Sequence, residues 1–384
     1  MIPLSVPSIE GNEWKYVKEC LDTGWVSSAG KFVDRFEDEI KRFTGSKFAI
    51  ACVNGTSALH ISLILAGVNQ GDEVLVPTVT FIAPINAVRY VGAEPVFFDC
   101  DDYYNMDISK LARFLEEETV RKDGFTFNKK TGRRIAAVIP VHVFGSAVLM
   151  DDLVGLGEEY NIKIIEDATE SLGTVYVSGR YAGKHTGTIG EFGCLSFNGN
   201  KIITTGGGGM ILTNNEEFAQ KAKYLTTQAK DDTMRYIHHE IGYNYRLTNV
   251  QAAIGVAQLE QLPKYLEIKK QNYQRYQEKL TGSKGLTLAP VPEYASNNHW
   301  LYALQFDPEE YGKSKEELLD LLNRNGIQAR PLWYLNHWQR PYQNCQSYQV
   351  EKAVKLFETT INIPSSVSLT EEQIDKVVEV LLNG

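Results

Sequence analysis

The sequence predicts an α/β fold, with a large domain on a mostly parallel central sheet and a smaller C-terminal α+β domain. Three observations lead there. Between residues 48 and 213 short apolar runs alternate with helical stretches, which implies parallel strands with helices on both faces. From about residue 255 the pattern changes to a long helix, a strand of period two and capped helices. The 384 residues, 43% hydrophobic and 23% charged, suit one large and one smaller globular domain, placed at residues 1–254 and 255–384.

Residues 11–45 are expected to form two helices broken between Trp25 and Gly30. Phe48–Val53 reads as an interior strand, Asn54–Ser57 as a tight turn and Ala58–Ala66 as a helix. Strands at Glu73–Val76, Pro95–Phe98, Ala136–Val141 and Ile162–Ile165 then alternate with helices at Thr80–Tyr90, Ile108–Glu117 and Leu149–Tyr160. Residues 121–134, with Gly124 and Gly132 flanking an aromatic pair, read as an inserted, solvated hairpin. Phe192–Phe197 and Met210–Thr213 are two further strands enclosing a polar loop. In the second domain Leu259–Leu280 is a long linking helix and His299–Phe306 a strand. Ser314 with Glu317 makes a capping box for a helix to Asn325, and Thr370 with Gln373 makes one for the last helix.

A net charge of −9 argues against a nucleic-acid or membrane-surface partner, each of which needs a clustered basic face. No apolar run is long enough to span a bilayer, and the N-terminus lacks the features of a signal peptide. The five cysteines are widely spaced and none forms a CxxC pair, which reads as reduced thiols in a cytoplasm with no disulfide framework or zinc site.

The chemistry concentrates in EFGCLSFNGNKIITTGGGGM, Glu191 to Met210. A lone lysine is ordinarily a surface residue. Lys201, though, sits in a tight polar loop between two buried strands and is followed by Gly206 to Gly209, which admit a close backbone or a flat ligand. The glycine run fits neither a dinucleotide fingerprint nor a P-loop. The turn Gly55-Thr56-Ser57 opens a helix, whose free N–H groups and dipole suit a phosphate, although such positions are also common simple caps. That turn, Asp167 and Lys201 all follow strand carboxyl ends, where ligands bind in such sheets.

Seven motifs occur in a characteristic order: NGTSAL (Asn54 to Leu59), TF (Thr80-Phe81), HxFG (His142 to Gly145), EDA (Glu166 to Ala168), SFxxxK (Ser196 to Lys201), GGM (Gly208 to Met210) and GYNYRLTNVQAAIG (Gly242 to Gly255). In this the chain resembles the DegT/StrS aminotransferases, fold-type I enzymes that use pyridoxal phosphate on nucleotide-linked keto sugars. The resemblance implies that the Lys201 amine condenses with the cofactor aldehyde and later shuttles protons. It makes Asp167 the partner of the pyridine nitrogen, and Gly55, Thr56, Ser57 and Ser196 the phosphate cup. Phe81 matches the aromatic that stacks on the ring. Asn244 matches a residue lent to the phosphate by the neighbouring subunit, so a homodimer with sites at its interface is implied. Two positions depart from the pattern: Glu170 stands where Gln or His is frequent near the ring oxygen, and Gly207 where Glu is frequent. Glu170 beside a phenolate requires a proton or a pairing partner, for tuning the ring or touching the sugar. Some relatives carry His in place of the lysine and are dehydratases; Lys201 favours transamination.

A diphosphate on an acidic chain needs local cations, and Arg246 and Arg330 are the candidates. Trp333, Tyr334 and His337 are candidates for contact with the sugar or base. The wording EDATESLG and SFNGNKIITTGGGGM is most similar to enzymes aminating C4 of UDP-linked 4-keto-6-deoxy-N-acetylglucosamine, for bacillosamine-type and legionaminic-type sugars, with L-glutamate as donor. The alternatives are a GDP- or dTDP-linked 3- or 4-keto-6-deoxyhexose, or a pyridoxal phosphate-binding regulatory protein without turnover.

Overall fold

Ten strands form the central sheet of a computed structural model that describes residues 1–232 and 234–383. Its main path runs Phe48–Cys52, Gly209–Thr213, Phe192–Ser196, Lys163–Asp167, Arg134–Val138, Glu73–Pro77, Glu94–Phe98, Ser347–Tyr348. From Phe192–Ser196 to Ser347–Tyr348 every pair is parallel. Gly209–Thr213 lies antiparallel between its two neighbours. The strand centres are mostly apolar because helices cover both faces. Ile50, Cys194 and Ile211 turn to one core, while Ala49, Ala51, Leu195, Met210 and Leu212 turn to the opposite one, as the period of two requires.

The hairpin forms as Thr119–Lys122 and Phe125–Asn128, with most of residues 121–134 exposed as expected, but it is anchored to the sheet. Phe125–Asn128 pairs with the start of Arg134–Val138, and the buried Asn128 amide bonds to Glu73 and Gln346. Two starts also differ from expectation. The helix after Thr80-Phe81 begins at Ala83, and the strand expected from His299 begins at Tyr302.

The long helix runs Asn249–Leu280, ten residues longer at its start than the spacing suggested, because Thr248 and Gln251 form a capping box inside a polar-looking motif. Its residues up to Tyr265 pack with the helices Glu13–Thr23 and Lys31–Thr44 on the large sheet. Tyr273, Tyr276 and Leu280 pack instead on a second core. That core covers a four-stranded antiparallel sheet, ordered Leu286–Leu288, Tyr302–Phe306, Thr360–Ile363, Arg330–Pro331. Among the described residues no helix is long and apolar enough to cross a membrane.

Candidate active site

A cavity of about 390 Å³ opens at the carboxyl ends of the parallel strands. Lys201 reaches it from the loop after Phe192–Ser196. Local hydrogen bonds shape that loop. The Lys201 amide donates to the Asn198 carbonyl at 3.0 Å, and the Thr205 amide returns to the Phe197 carbonyl at 2.9 Å. The indole N–H of Trp300, from the distant second sheet region, donates to the Asn200 carbonyl at 2.7 Å. The lysine side chain is only 12% exposed, with its Nζ 3.9 Å from Glu170 Oε1 and 4.0 Å from the centre of the Trp300 ring. Burial lowers its pKa, against the opposing pull of Glu170 and Asp167.

Three acidic side chains crowd the end of the strand Lys163–Asp167 and divide by direction. Successive strand residues face opposite ways. Glu166 therefore turns from the cavity and is fully bonded, to His142 Nε2 at 3.0 Å and to the amides of Gly187, Ile189 and Gly190. Burial works against its ionisation, but the His142 bond and these amides outweigh it and hold its carboxyl below the usual range. The Val148 amide donates to His142 Nδ1, so the proton of that ring sits on Nε2 and points at Glu166. Glu166 thus pins the loop 187–190, while Asp167, the next residue, turns to the cavity wall. Burial raises the Asp167 pKa, while hydrogen bonds from Thr169 and the charge of Lys201 oppose the rise.

Glu170 Oε2 accepts the Phe144 amide at 2.8 Å, and burial pushes its carboxyl up to about 7 against the pull of Lys201. Phe144 holds that amide in place from a left-handed conformation, φ 55°, ψ 18°. A non-glycine residue there is strained by roughly 1–3 kcal/mol and persists only where packing fixes it. The fixing contact is Trp333, stacked on Phe144 with centroids 4.9 Å apart.

Opposite the lysine, Asn54 Oδ1 caps the helix Gly55–Leu65 by accepting the Ser57 amide. The amides of Gly55 and Thr56, first in that helix, have no intrahelical acceptor, and both residues line the cavity with Ser196. A Cβ on Gly55 would lie 3.0 Å from Thr169 Cγ2 and 3.1 Å from Ser196 Cβ, so glycine keeps this cradle open. A Cβ on Gly209 would lie 2.3 Å from the Asn54 carbonyl carbon, which is why the strand beside the turn must begin with glycine.

Of the residues expected from sequence, Gly55, Thr56, Phe81, Asp167, Glu170, Ser196, Lys201 and Trp333 line this cavity. Phe81 sits there 55% exposed. Ser57 does not line it; it is buried in the first helical turn behind the cradle. Asn244 is exposed, and Arg246 lies outside the cavity, its buried Nε without a partner among the described residues. Three further expected residues lie outside this cavity. Arg330 stands exposed on the edge strand of the second sheet. Tyr334 and His337 line a separate groove with Trp338 and Phe357, because Thr78 holds His337 at 2.6 Å on the far side of the loop that delivers Trp333. Sequence reading missed Trp300, Phe144, Thr169 and the supporting His142–Glu166 pair. The HxFG and EDA motifs signalled the last pair, but nothing in the spacing linked Trp300 to a loop 100 residues away.

The cradle of free amides, the acid and the recessed amine fit pyridoxal phosphate on this sheet, and the molecule is a fold-type I transferase dependent on that cofactor. Comparison with known proteins gives the family. The chain belongs to the DegT/DnrJ/EryC1/StrS aminotransferase family, matched over residues 7–382, and is a nucleotide-sugar aminotransferase. It is 39% identical over its whole length to EpsN of Bacillus subtilis (strain 168), whose name is that of a pyridoxal phosphate-dependent aminotransferase, covering 95% of it. It is 36% identical to the GDP-perosamine synthase of Caulobacter vibrioides, over 99% of this chain and 97% of that one. The crystal structure of a DegT DnrJ EryC1 StrS aminotransferase from Brucella abortus superposes with a TM-score of 0.86 at 27% identity, covering 96% and 94% of the two chains.

Proposed function

We propose that this protein moves an amino group from L-glutamate to the C4 keto carbon of a nucleotide-linked 4-keto-6-deoxy sugar. The observation that carries the reading is the Lys201 amine, recessed in the cavity between Glu170 and the Trp300 ring and facing the helix N-terminus at Gly55. When bound, pyridoxal phosphate supplies an aldehyde that takes up the amino group and a ring that withdraws electrons. Gly55, Thr56 and Ser196 would hold its phosphate, with Ser57 buried behind them fixing the turn. Asp167 would face the ring nitrogen, whose positive charge restores the ionised acid that burial alone disfavours. Phe81, at the mouth with an open face, would cover the ring. Lys201, as a free amine, would carry the proton between the cofactor carbon and the sugar carbon.

The substrate's diphosphate needs cations that the cavity itself lacks, since Lys201 is its one basic lining residue among the described residues. A second copy of the chain supplies them in this reading. Met234, Tyr236, Ile237 and Ile241 expose a run of apolar surface in the loop before Asn244 and Arg246, which favours burial in a homodimer. Asn244 would then reach the partner's phosphate cup and Arg246 the substrate diphosphate.

The motif wording favours a UDP-linked N-acetylated sugar. A second reading, a GDP-linked sugar, is favoured by 34–36% identity to GDP-perosamine synthases of Caulobacter vibrioides, Vibrio cholerae and Escherichia coli O157:H7. A coupled assay with glutamate and a panel of UDP-, GDP- and dTDP-linked keto sugars separates them. Turnover of UDP-4-keto-6-deoxy-N-acetylglucosamine supports the first reading, and turnover of the GDP sugar alone supports the second. No turnover of any of these, with cofactor bound, overturns both substrate readings.

A further inference from the structure

We propose that Glu170 is the proton store of Lys201: its carboxylate takes the proton that the Lys201 ammonium must release before the amine acts as a nucleophile, and returns it afterwards. The proposal rests on Lys201 being the reacting amine, as above, and assigns the group that serves it. The two oxygens of Glu170 are differently engaged. Oε2 is fixed by the Phe144 amide, and Oε1 faces Lys201 Nζ at 3.9 Å, its one ion-pair partner among the described residues. Nothing loose holds this geometry, since Phe144 is locked in a left-handed conformation under Trp333, and the Trp300 ring covers the lysine from the other side.

Of the other acids nearby, Asp167 also faces the lysine but makes no ion pair with it, and Glu166 points away. Asp167 Oδ1 accepts the Thr169 amide at 3.1 Å, and Glu166 spends both oxygens on His142 and three backbone amides. Glu170, Asp167 and Lys201 are therefore the charged groups that face one another, with the His142–Glu166 pair behind them. An ammonium and a carboxylate out of water are each penalised by burial, so the neutral amine and carboxylic acid gain on the ion pair relative to the same groups in water. Burial moves Glu170 up to about 7 and Lys201 down, so the two groups approach each other in proton affinity. The step is a proton transfer alone. An N–H bond of Lys201 breaks, an O–H bond forms on Glu170 Oε1, and an ion pair becomes an amine and a carboxylic acid with no change in total charge or oxidation state.

The test is the pH profile of Lys201 labelling by acetic anhydride, read by peptide mass analysis on the full-length chain stripped of cofactor. In the parent protein the coupled pair titrates in two steps. In Glu170→Gln the attraction that retains the lysine proton is gone, so a single step remains, with its midpoint lower by about one pH unit or more. The pH at which the lysine-bound cofactor changes absorbance shifts in the same direction in the loaded protein. Glu170→Asp, with a shorter reach, shows an intermediate profile. Superimposable profiles for parent and Glu170→Gln overturn the proposal, as does a single step in the parent, which decides the matter even if the variant fails to fold. If the profiles differ but the cofactor is found on another residue, the proton coupling stands and the functional reading falls. If the cofactor sits on Lys201 and the profiles coincide, the reverse holds.

Discussion

Lys201 and Lys269 are both withdrawn from water, in different halves of the molecule, and the contrast between them separates what burial does from what a site does. Lys269 lies on the helix Asn249–Leu280 and is 2% exposed. Its ammonium donates to the Ser365 carbonyl and lies 5.6 Å from the Tyr302 ring. Among the described residues no acid balances it, and burial takes its pKa down to about 7. It ties the helix to a segment that also bonds the N-terminal stretch through Leu4. Lys201 is pushed down by the same desolvation, but two acids push back and a cavity lies in front of it. A depressed lysine pKa is thus no mark of catalysis by itself; an opening, a proton partner and an anion cradle within reach make the difference.

The contrast is broken most severely at Lys201. Lys201→Ala should lower kcat by at least about 10³-fold, with the fold unchanged by circular dichroism. Retention of more than a tenth of the activity would place the chemistry elsewhere. Next, Asp167→Asn keeps the shape and removes the charge, so kcat should fall by about 10²-fold with KM little changed, as for loss of one preorganised electrostatic contact. Lys269→Met should instead leave kcat within about threefold and act on stability, where the unpaired Ser365 carbonyl costs about 1–3 kcal/mol. The sign of its pH dependence follows from the depressed pKa. Between about 7 and the ordinary 10.5 the folded chain binds fewer protons than the unfolded one, so the Lys269 contribution grows as pH rises through that window. Thermal midpoints at pH 7 and pH 9.5 should therefore rise for the parent relative to Lys269→Met; a constant difference would show that Lys269 stays charged in the fold. The smallest effect belongs to Tyr334→Ala, which stands in the separate groove and should change kcat/KM by less than about twofold. A large rise in KM there would mean that the nucleotide reaches past Trp333.

The same pair of lysines shows what was legible in the sequence. Lys201, Asp167 and the Asn54–Ser57 turn could be found because each sits just past a recognisable strand, where chain direction alone places it at the ligand-binding edge. Lys269 could not be distinguished from its exposed neighbour Lys270, because a one-residue step on a helix carries no polar signal for which side is sealed. Trp300 and Phe144 were illegible for another reason. Their effect on the site depends on how the second sheet docks and on a backbone conformation that the residue type does not encode. The sequence treats Trp333, Tyr334 and His337 alike, whereas the fold puts Trp333 in the cavity and Tyr334 in the separate groove, since adjacent residues in an extended segment face opposite sides and the Thr78–His337 bond sets which. The glycine run was read as permissive in general. The structure assigns it two separate tasks, a left-handed turn at Gly206 (φ 78°) and backbone contact at Gly209.

The central claim, that Lys201 is the amine that holds the cofactor, is tested most directly by reducing the loaded protein with borohydride and mapping the peptides by mass. The account predicts one added pyridoxyl phosphate per chain, on the peptide containing Lys201, and none on that containing Lys269. An adduct on any other lysine, with Lys201 unmodified, would contradict it.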